Sequence, residues 1–515
     1  FPLSDSIPPV LWTKRLCKRC GIMSYLLLTG ATGLVGRYLL RNLLLAQRPV
    51  AVLTRGRRTE QAGLRIESIL ARWEQQLGRP LMRPVILSGS LLEPDLGLST
   101  EQKNWLKRHC QTAVHSAASL TFAADPNSGE PFRTNLDGTR NLLRLCSDTG
   151  IDDFHFVSTS YVCGRRSDLV TETDANVDAD FRNAYEQTKA AAEQMVRTAF
   201  GRRATIYRPS IIVGDSRTAE SSTFRGLYTP LQIAYLLAES HGLDGVASFF
   251  TELNVDQSFG KNVVPVDWVA DVISHILGQP SLHGGVFHVT NPRPVLVADI
   301  RESILDVVSK ALRRKGRGEA TQAAGVSPGD SELKKAMAVY DTYLGNDPHF
   351  DSTNTQRAAP HLACPSIEPP LLRKLNQFAI ENRFASPRTP ITPTELNFAE
   401  LLGHLPGPAS VSGGTRSLQL DLTGPGGGCW TVLTRGGQPV AAENGRCGTA
   451  EAVLYAPASV LEAVVAGRLT MTESLRTRMT LEFSGSARLA SELTEGALKW
   501  MQQSVLAAVP LRYVG

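Results

Sequence analysis

Short apolar-rich runs bounded by glycine or polar residues recur through the N-terminal half of the chain. Tyr25–Thr29 (YLLLT), Val50–Leu53, Val85–Leu87, Thr112–His115, Phe154–Val157 and Thr205–Tyr207 are too short for helices and have the character of buried parallel strands. Between them, Arg37–Leu45, Asn135–Cys146 and Tyr185–Phe200 read as helices, the last rich in Ala, Glu, Gln and Lys. Strands alternating with helices predict an α/β fold on a parallel, doubly wound sheet. From about Ser216 to Lys261 the rhythm breaks, and this insertion is expected to form part of a substrate lobe. Val263–Pro265 and Val286–Val289 are expected as later strands that return to the core.

Farther on the pattern changes. Arg313–Asp330 is polar, basic and rich in small residues, and reads as a loop. Ser386–Pro393 (SPRTPITP) reads as a linker. Beyond it Leu418, Leu420 and Leu422 alternate with polar residues, the period of a half-buried strand. Gly424–Gly428 is a turn, Cys429–Leu433 a second strand, and Ser459–Ala466 and Leu493–Val505 are helical, so a small separate α+β domain is predicted. The expected organisation is an extension over 1–22, a nucleotide-binding domain with its substrate lobe over 23–383, a linker over 384–409 and the small domain over 410–515.

Composition narrows the function. The chain has 515 residues, 42% of them hydrophobic, enough for real cores. The net charge of +5 is modest and lacks the concentrated basic face of a nucleic-acid binder. There is no apolar run long enough for a transmembrane helix. Phe1–Ile22 lacks the apolar core of a signal peptide and is expected to have no role in the fold. Eight cysteines are scattered, and only Cys17 and Cys20 have C-x-x-C spacing with no second pair, so no metal site is expected. They read as reduced thiols of a cytoplasmic protein.

Gly30-Ala-Thr-Gly33-Leu-Val-Gly36 follows a strand and opens a helix. In that context glycines give the tight turn and the close approach of backbone to pyrophosphate, and the helix N-terminus faces the phosphates: a Rossmann dinucleotide site. Thr32, Leu34 and Val35 belong to the same loop. The second strand ends in Thr54-Arg55-Gly56-Arg57-Arg58 instead of an acid. Guanidiniums there suit a 2′-phosphate, so Arg55 and then Arg58 point to NADPH over NADH. Ser116, Ala117 and Ala118, small residues after the fourth strand, let backbone lie against the cofactor, while His115 reads as structural. Pro209 and Ser210, after the sixth strand, are placed near the nicotinamide.

Tyr185 and Lys189 are four residues apart on one helix face. An ammonium there is expected to lower the phenol pKa and to hold the cofactor ribose, and the phenol to give a proton to a substrate oxygen. Ser158-Thr159-Ser160 ends a strand at the carboxyl edge, where a hydroxyl can bond the substrate carbonyl; Thr159 is preferred, with Ser158 and Ser160 as alternatives.

TGATGLVG (Thr29–Gly36), LTRGRR (Leu53–Arg58), VHSAASLTF (Val114–Phe122), NLDGTRNLL (Asn135–Leu143), FVSTSYVCG (Phe156–Gly164), YEQTK (Tyr185–Lys189), YRPSIIVGDSRT (Tyr207–Thr218) and NVVPVDWVAD (Asn262–Asp271) stand in order. Through them the chain from about Met23 to Arg383 resembles extended short-chain dehydrogenases/reductases of the thioester reductase and fatty acyl-CoA reductase (male-sterility) type. The resemblance implies a catalytic triad at Thr159, Tyr185 and Lys189 and reduction of acyl thioesters by NADPH to aldehyde or alcohol. One departure is Ser90 of Ser88-Gly89-Ser90-Leu91, where the family has an Asp facing the adenine; Ser90 and Leu91 are carried over as cofactor contacts. About Ser410 to Gln503 resembles a sterol-carrier-protein-like domain. That implies an apolar tunnel lined by residues such as Leu461, Met471, Leu475 and Met479, and the same residues would serve an ordinary core.

The reading is therefore an NADPH-dependent reductase of a lipophilic acyl thioester carried on coenzyme A or an acyl carrier protein. Alternatives are a hydroxysteroid or other lipid alcohol dehydrogenase, which the same triad would serve, and a non-catalytic lipid-transfer protein, which would not need Tyr185 and Lys189.

Overall fold

The computed structural model describes residues 24–56, 62–174, 179–315, 345–387, 391, 394–411, 413–445, 450–483 and 486–508. Phe1–Ile22 and Arg58 lie outside them. Seven parallel strands form the main sheet: β1 (Tyr25–Thr29), β2 (Val50–Thr54), β3 (Val85–Ser88), β4 (Cys110–His115), β5 (Asp153–Val157), β6 (Ala204–Pro209) and β7 (Val286–Val289). Their spatial order is β7-β6-β5-β4-β1-β2-β3. The order reverses between β1 and β4, the crevice where such sheets bind nucleotides.

The apolar runs exist because the sheet is covered on both faces. Successive side chains point to opposite faces. Leu26, Leu28, Val50 and Val52 enter one core, while Tyr25, Leu27, Ala51 and Leu53 enter the other. The first core is closed by α1 (Leu34–Leu45), α2 (Ala62–Leu77) and α7 (Val266–Leu277). The second is closed by α3 (Thr100–His109), α4 (Gly138–Thr149) and α5 (Ala184–Phe200). Each fully buried leucine contributes about 1.5–3 kcal/mol, so β1 alone anchors both layers. Local signals set the helix limits: Ser99 and Gln102 form a capping box on α3, Gly150 closes α4 at φ 73°, and the Asn183 side chain caps α5.

Val286–Val289 joins the sheet edge as expected. Val263–Pro265 also returns to the core, with Val264 in the first cluster, but through a separate two-stranded parallel ladder with Ile211–Val213. The lobe is also larger than the insertion. It combines α6 (Tyr228–Leu253, broken at Gly242), α8 (Val297–Arg314) and α9 (Pro369–Glu381) around Tyr228, Leu231, Ile304 and Leu375.

The C-terminal unit holds β8 (Arg416–Thr423), β9 (Gly428–Arg435), β10 (Gln438–Asn444), β11 (Ala452–Pro457) and β12 (Thr480–Phe483), in the order β10-β9-β8-β11-β12. Leu418, Leu420 and Leu422 face α10 (Ala458–Val465) and α11 (Ala487–Ala508) in one apolar cluster. A short helix, Phe398–Gly403, puts Phe398 into that cluster. The unit thus draws on residues expected as linker. Its other face meets the first domain: Tyr455 joins the second core, and Thr423 Oγ1 lies 3.3 Å from Glu67 Oε2. No helix among the described residues is long and apolar enough to cross a membrane.

Candidate active site

The glycine loop between β1 and α1 is shaped for close approach. Gly30 has φ +77°, and a Cβ there would lie 2.5 Å from Ala117 N. A Cβ on Gly36 would fall 2.0 Å from Gly30 O, so α1 can leave the loop only from a glycine. Gly33 is the N-cap of α1, and no side chain caps it. The helix start is therefore available to an anion. These features fit a dinucleotide pyrophosphate.

Beside the loop, Arg37 reaches Thr32 O at 3.4 Å. Arg65, from α2, donates to Thr32 Oγ1 at 3.0 Å and to Arg55 O at 2.7 Å. Arg55 itself is exposed at the end of β2. Arg37 and Arg65 were not singled out from the sequence. Arg37 directly follows the glycine motif and could have been, whereas Arg65 sits on α2 and shows its role only when folded back on Arg55. Ser90 turns its hydroxyl to Leu92 N at 3.3 Å, and Leu91 O accepts from Asn141 at 2.9 Å, so both are tied into the turn after β3.

A cavity of about 350 Å³ opens beyond the loop. Gly33, Leu34, Val35, Ser116, Ala118, Thr159, Tyr185, Lys189, Pro209 and Ser210 line one side of it. Ala117 lies just behind, its N 3.5 Å from Thr29 Oγ1. The lobe supplies the rest of the lining, which is mainly apolar (Leu227, Pro230, Phe250, Leu253, Ile300 and Ile304) but also carries Arg225, Gln257, Lys261 and Arg301.

The catalytic candidates are held by local structure. The Asn183 cap puts Tyr185 in the first turn of α5, and Lys189 follows one turn later on the same face. Thr159 ends β5 by capping a short turn: its Oγ1 accepts from Tyr161 N at 3.3 Å and lies 3.4 Å from Pro209 O. Burial and the Glu186 charge push the Tyr185 phenol above its ordinary value, while a hydrogen bond with Thr159 pulls the other way. The expected lowering of this phenol by Lys189 is not found. Lys189 Nζ instead donates to Val157 O at 2.6 Å and lies 4.0 Å from the Phe156 ring centre. Burial lowers its pKa to about 7, with Glu193 opposing. Ser158 also lines the cavity, but its Oγ is committed to Glu193 Oε2 at 2.7 Å, and Ser160 is fully buried.

Behind this wall lies a buried ionic support. Glu193 pairs with Arg208 at 2.7 Å and Arg197 at 2.8 Å. His115 bridges Thr29 and Thr139 at 2.7 and 3.1 Å, and burial together with the Lys189 charge lowers its pKa to about 3, so it is a neutral structural bridge. Asn135 was read only as the start of a helix. It lies in a π-helical turn, accepts from Ser119 N at 2.7 Å and donates to Thr188 Oγ1 at 3.0 Å. It thereby fixes the loop after β4 to α5.

Fold and loop together define a nicotinamide-nucleotide-binding domain of the short-chain dehydrogenase/reductase kind. Residues 28–273 match the family described as "Male sterility protein". The chain is 27% identical over 430 residues to "Aldehyde reductase lnaA" of Aspergillus flavus, covering 75% of this chain and 38% of that protein. It is 28% identical over 294 residues to "Carboxylic acid reductase" of Mycobacterium marinum, covering 52% of this chain and 24% of that one. The chain thus spans well under half the length of these relatives. Among solved structures, the terminal R domain from the myxalamid PKS-NRPS biosynthetic pathway superposes with a TM-score of 0.53 at 25% identity, over 70% of this chain and 91% of that one. A thiolation-reductase di-domain from an archaeal non-ribosomal peptide synthetase shares the fold, with a TM-score of 0.52 at 17% identity over 70% of this chain and 76% of that one.

Proposed function

We propose that the chain is an NADPH-dependent reductase of a lipophilic acyl thioester carried on coenzyme A or an acyl carrier protein. The observation that carries this reading is the shared cavity, in which Thr159, Tyr185 and Lys189 line the same space as a mainly apolar set of lobe residues. The apolar part of that lining suits an acyl chain. The relatives whose names denote aldehyde and carboxylic acid reductases support the reaction class. Arg37 and Arg65 on Thr32, with the exposed Arg55 at the end of β2 beside Arg65, favour a 2′-phosphate over a bare ribose.

When bound, the reduced nicotinamide supplies hydride to the carbonyl carbon. Tyr185, kept protonated by its raised pKa, donates its phenolic proton to the carbonyl oxygen as negative charge grows there. Thr159 hydrogen-bonds the same oxygen. Lys189, one turn along α5 from Tyr185, would hold the cofactor ribose. Collapse of the hemithioacetal releases aldehyde and free thiol. In the C-terminal unit, Leu461 and Met479 are buried in the apolar cluster with Met471 and Leu475 packed against it. We carry forward a sterol-carrier-like role for this unit, to be checked by mass spectrometry of lipid that co-purifies with the full chain.

The test is NADPH consumption with long-chain acyl-CoA, followed by absorbance. Tyr185→Phe should lower kcat by about 10²–10⁴-fold, the usual worth of a general acid. An active parent matched by an equally active Tyr185→Phe would refute the role of Tyr185. NADP reduction by sterol alcohols in place of acyl-CoA turnover would favour the alcohol dehydrogenase instead.

A further inference from the structure

The edge of the sheet opposite Thr159 and Tyr185 carries a second cluster that the proposed reaction does not use. Asp153 begins β5, His155 follows on the same face of that strand, and His283 stands in the turn before β7. His155 Nε2 lies 3.3 Å and His283 Nδ1 3.0 Å from the same Asp153 oxygen, Oδ1. The three ligand atoms all fall within 4.8 Å of one another. Ligands bound tetrahedrally at about 2.0–2.1 Å are roughly 3.3 Å apart, close to the spacing of each imidazole nitrogen from Asp153 Oδ1.

Each group is also held from behind. Asp153 Oδ2 accepts from Thr112 Oγ1 at 3.1 Å, His155 Nδ1 lies 2.9 Å from the Tyr207 hydroxyl, and His283 Nε2 is 3.3 Å from Leu277 O. A carbonyl only accepts, so Nε2 of His283 carries the proton of that hydrogen bond, and Nδ1 is the nitrogen that faces Asp153 Oδ1. Two imidazole nitrogens aimed at one carboxylate oxygen, each oriented by an outer hydrogen bond, form a pattern that a metal ion between them completes. The side chains of Asp153 and His283 are 15% and 12% exposed, so water can reach the remaining position.

We propose that Asp153, His155 and His283 bind one divalent metal of the zinc class, tying the central strand β5 to the edge strand β7. Two imidazoles and a carboxylate favour zinc or cobalt over magnesium or calcium. The site lies away from the nicotinamide edge, so its role is structural.

The test uses the full chain in a Cys17→Ser, Cys20→Ser background, which removes the C-x-x-C pair as a competing chelator. After chelator treatment, protein is incubated with zinc chloride, gel-filtered and assayed for metal. The parent should retain about one equivalent per chain, and its Tm should rise with zinc, as it does for any ligand specific to the folded state. Cobalt(II) should give visible d–d absorption. His283→Ala and Asp153→Asn should each lose most of the bound metal, the cobalt spectrum and the Tm response. His283 is in a partly exposed turn, and Asn keeps the shape that faces Thr112, so the two variants fail independently of one another. Retention below a tenth of an equivalent by the parent, or equal uptake by parent and both variants, overturns the proposal.

Discussion

Lys189 gives the sharpest quantitative test of the active-site electrostatics. Its ammonium is 2% exposed, bonded to a single backbone carbonyl, and its pKa is lowered by burial from 10.5 to about 7. A lysine whose folded pKa lies below its unfolded value binds more protons when unfolded, so stability rises with pH across the interval between the two values. That interval runs from about 7 to 10.5. At 1.36 kcal/mol per pKa unit, the buried charge costs on the order of 5 kcal/mol at pH 6, falling to about 2 kcal/mol by pH 9. Lys189→Met keeps most of the volume and removes the titration. Urea unfolding of the cofactor-free protein should therefore show the parent gaining about 2–3 kcal/mol on Lys189→Met between pH 6 and pH 9. A parent-minus-variant difference that stays flat over this range would refute the buried-ammonium account. A difference that moves the other way would mean that the ammonium is stabilised by a partner in place of being penalised.

Gly36→Ala should abolish measurable NADPH binding, read by cofactor fluorescence, because its Cβ would fall 2.0 Å from Gly30 O and push α1 off the loop; unchanged affinity would refute the close-approach argument. Glu193→Gln should destabilise the protein by about 3–5 kcal/mol, since it leaves Arg208, 1% exposed, without its carboxylate; a loss under 1 kcal/mol in urea unfolding would show the network to be dispensable. Acid should destabilise the fold through His109, His115 and His288, whose pKa values burial lowers to about 4, 3 and 4. These groups bind protons only on unfolding, so their stability is intact above pH 6.5 and lost as pH falls from there towards 4, at about 2 kcal/mol per histidine by pH 5; a midpoint unchanged from pH 7 to pH 5 would contradict it.

The main sheet was legible because both its faces are covered. A strand buried on two sides leaves no polar positions, and the resulting apolar runs mark β1 and β2 without reference to anything distant. The glycine loop was legible for a related reason: the positions at Gly30 and Gly36 admit no Cβ, so the constraint is written in residue type at fixed spacing. Val263–Pro265 was not, because an apolar triplet states that it is buried and not which strand it pairs with. The lobe was half visible, since α8 and α9 come from segments far beyond the insertion and meet α6 only in space. The acid–base chemistry was the least legible part. The spacing of Tyr185 and Lys189 predicts a shared face, but the sign of the phenol shift depends on burial and on whether Lys189 spends its proton on the phenol or on Val157 O. Arg65 and His283 carry no local mark at all, because what matters about them is a partner supplied by another strand end. Sequence pattern therefore reports constraints that act on one residue type at one place, and loses those that arise when two distant groups compete for the same proton or the same charge.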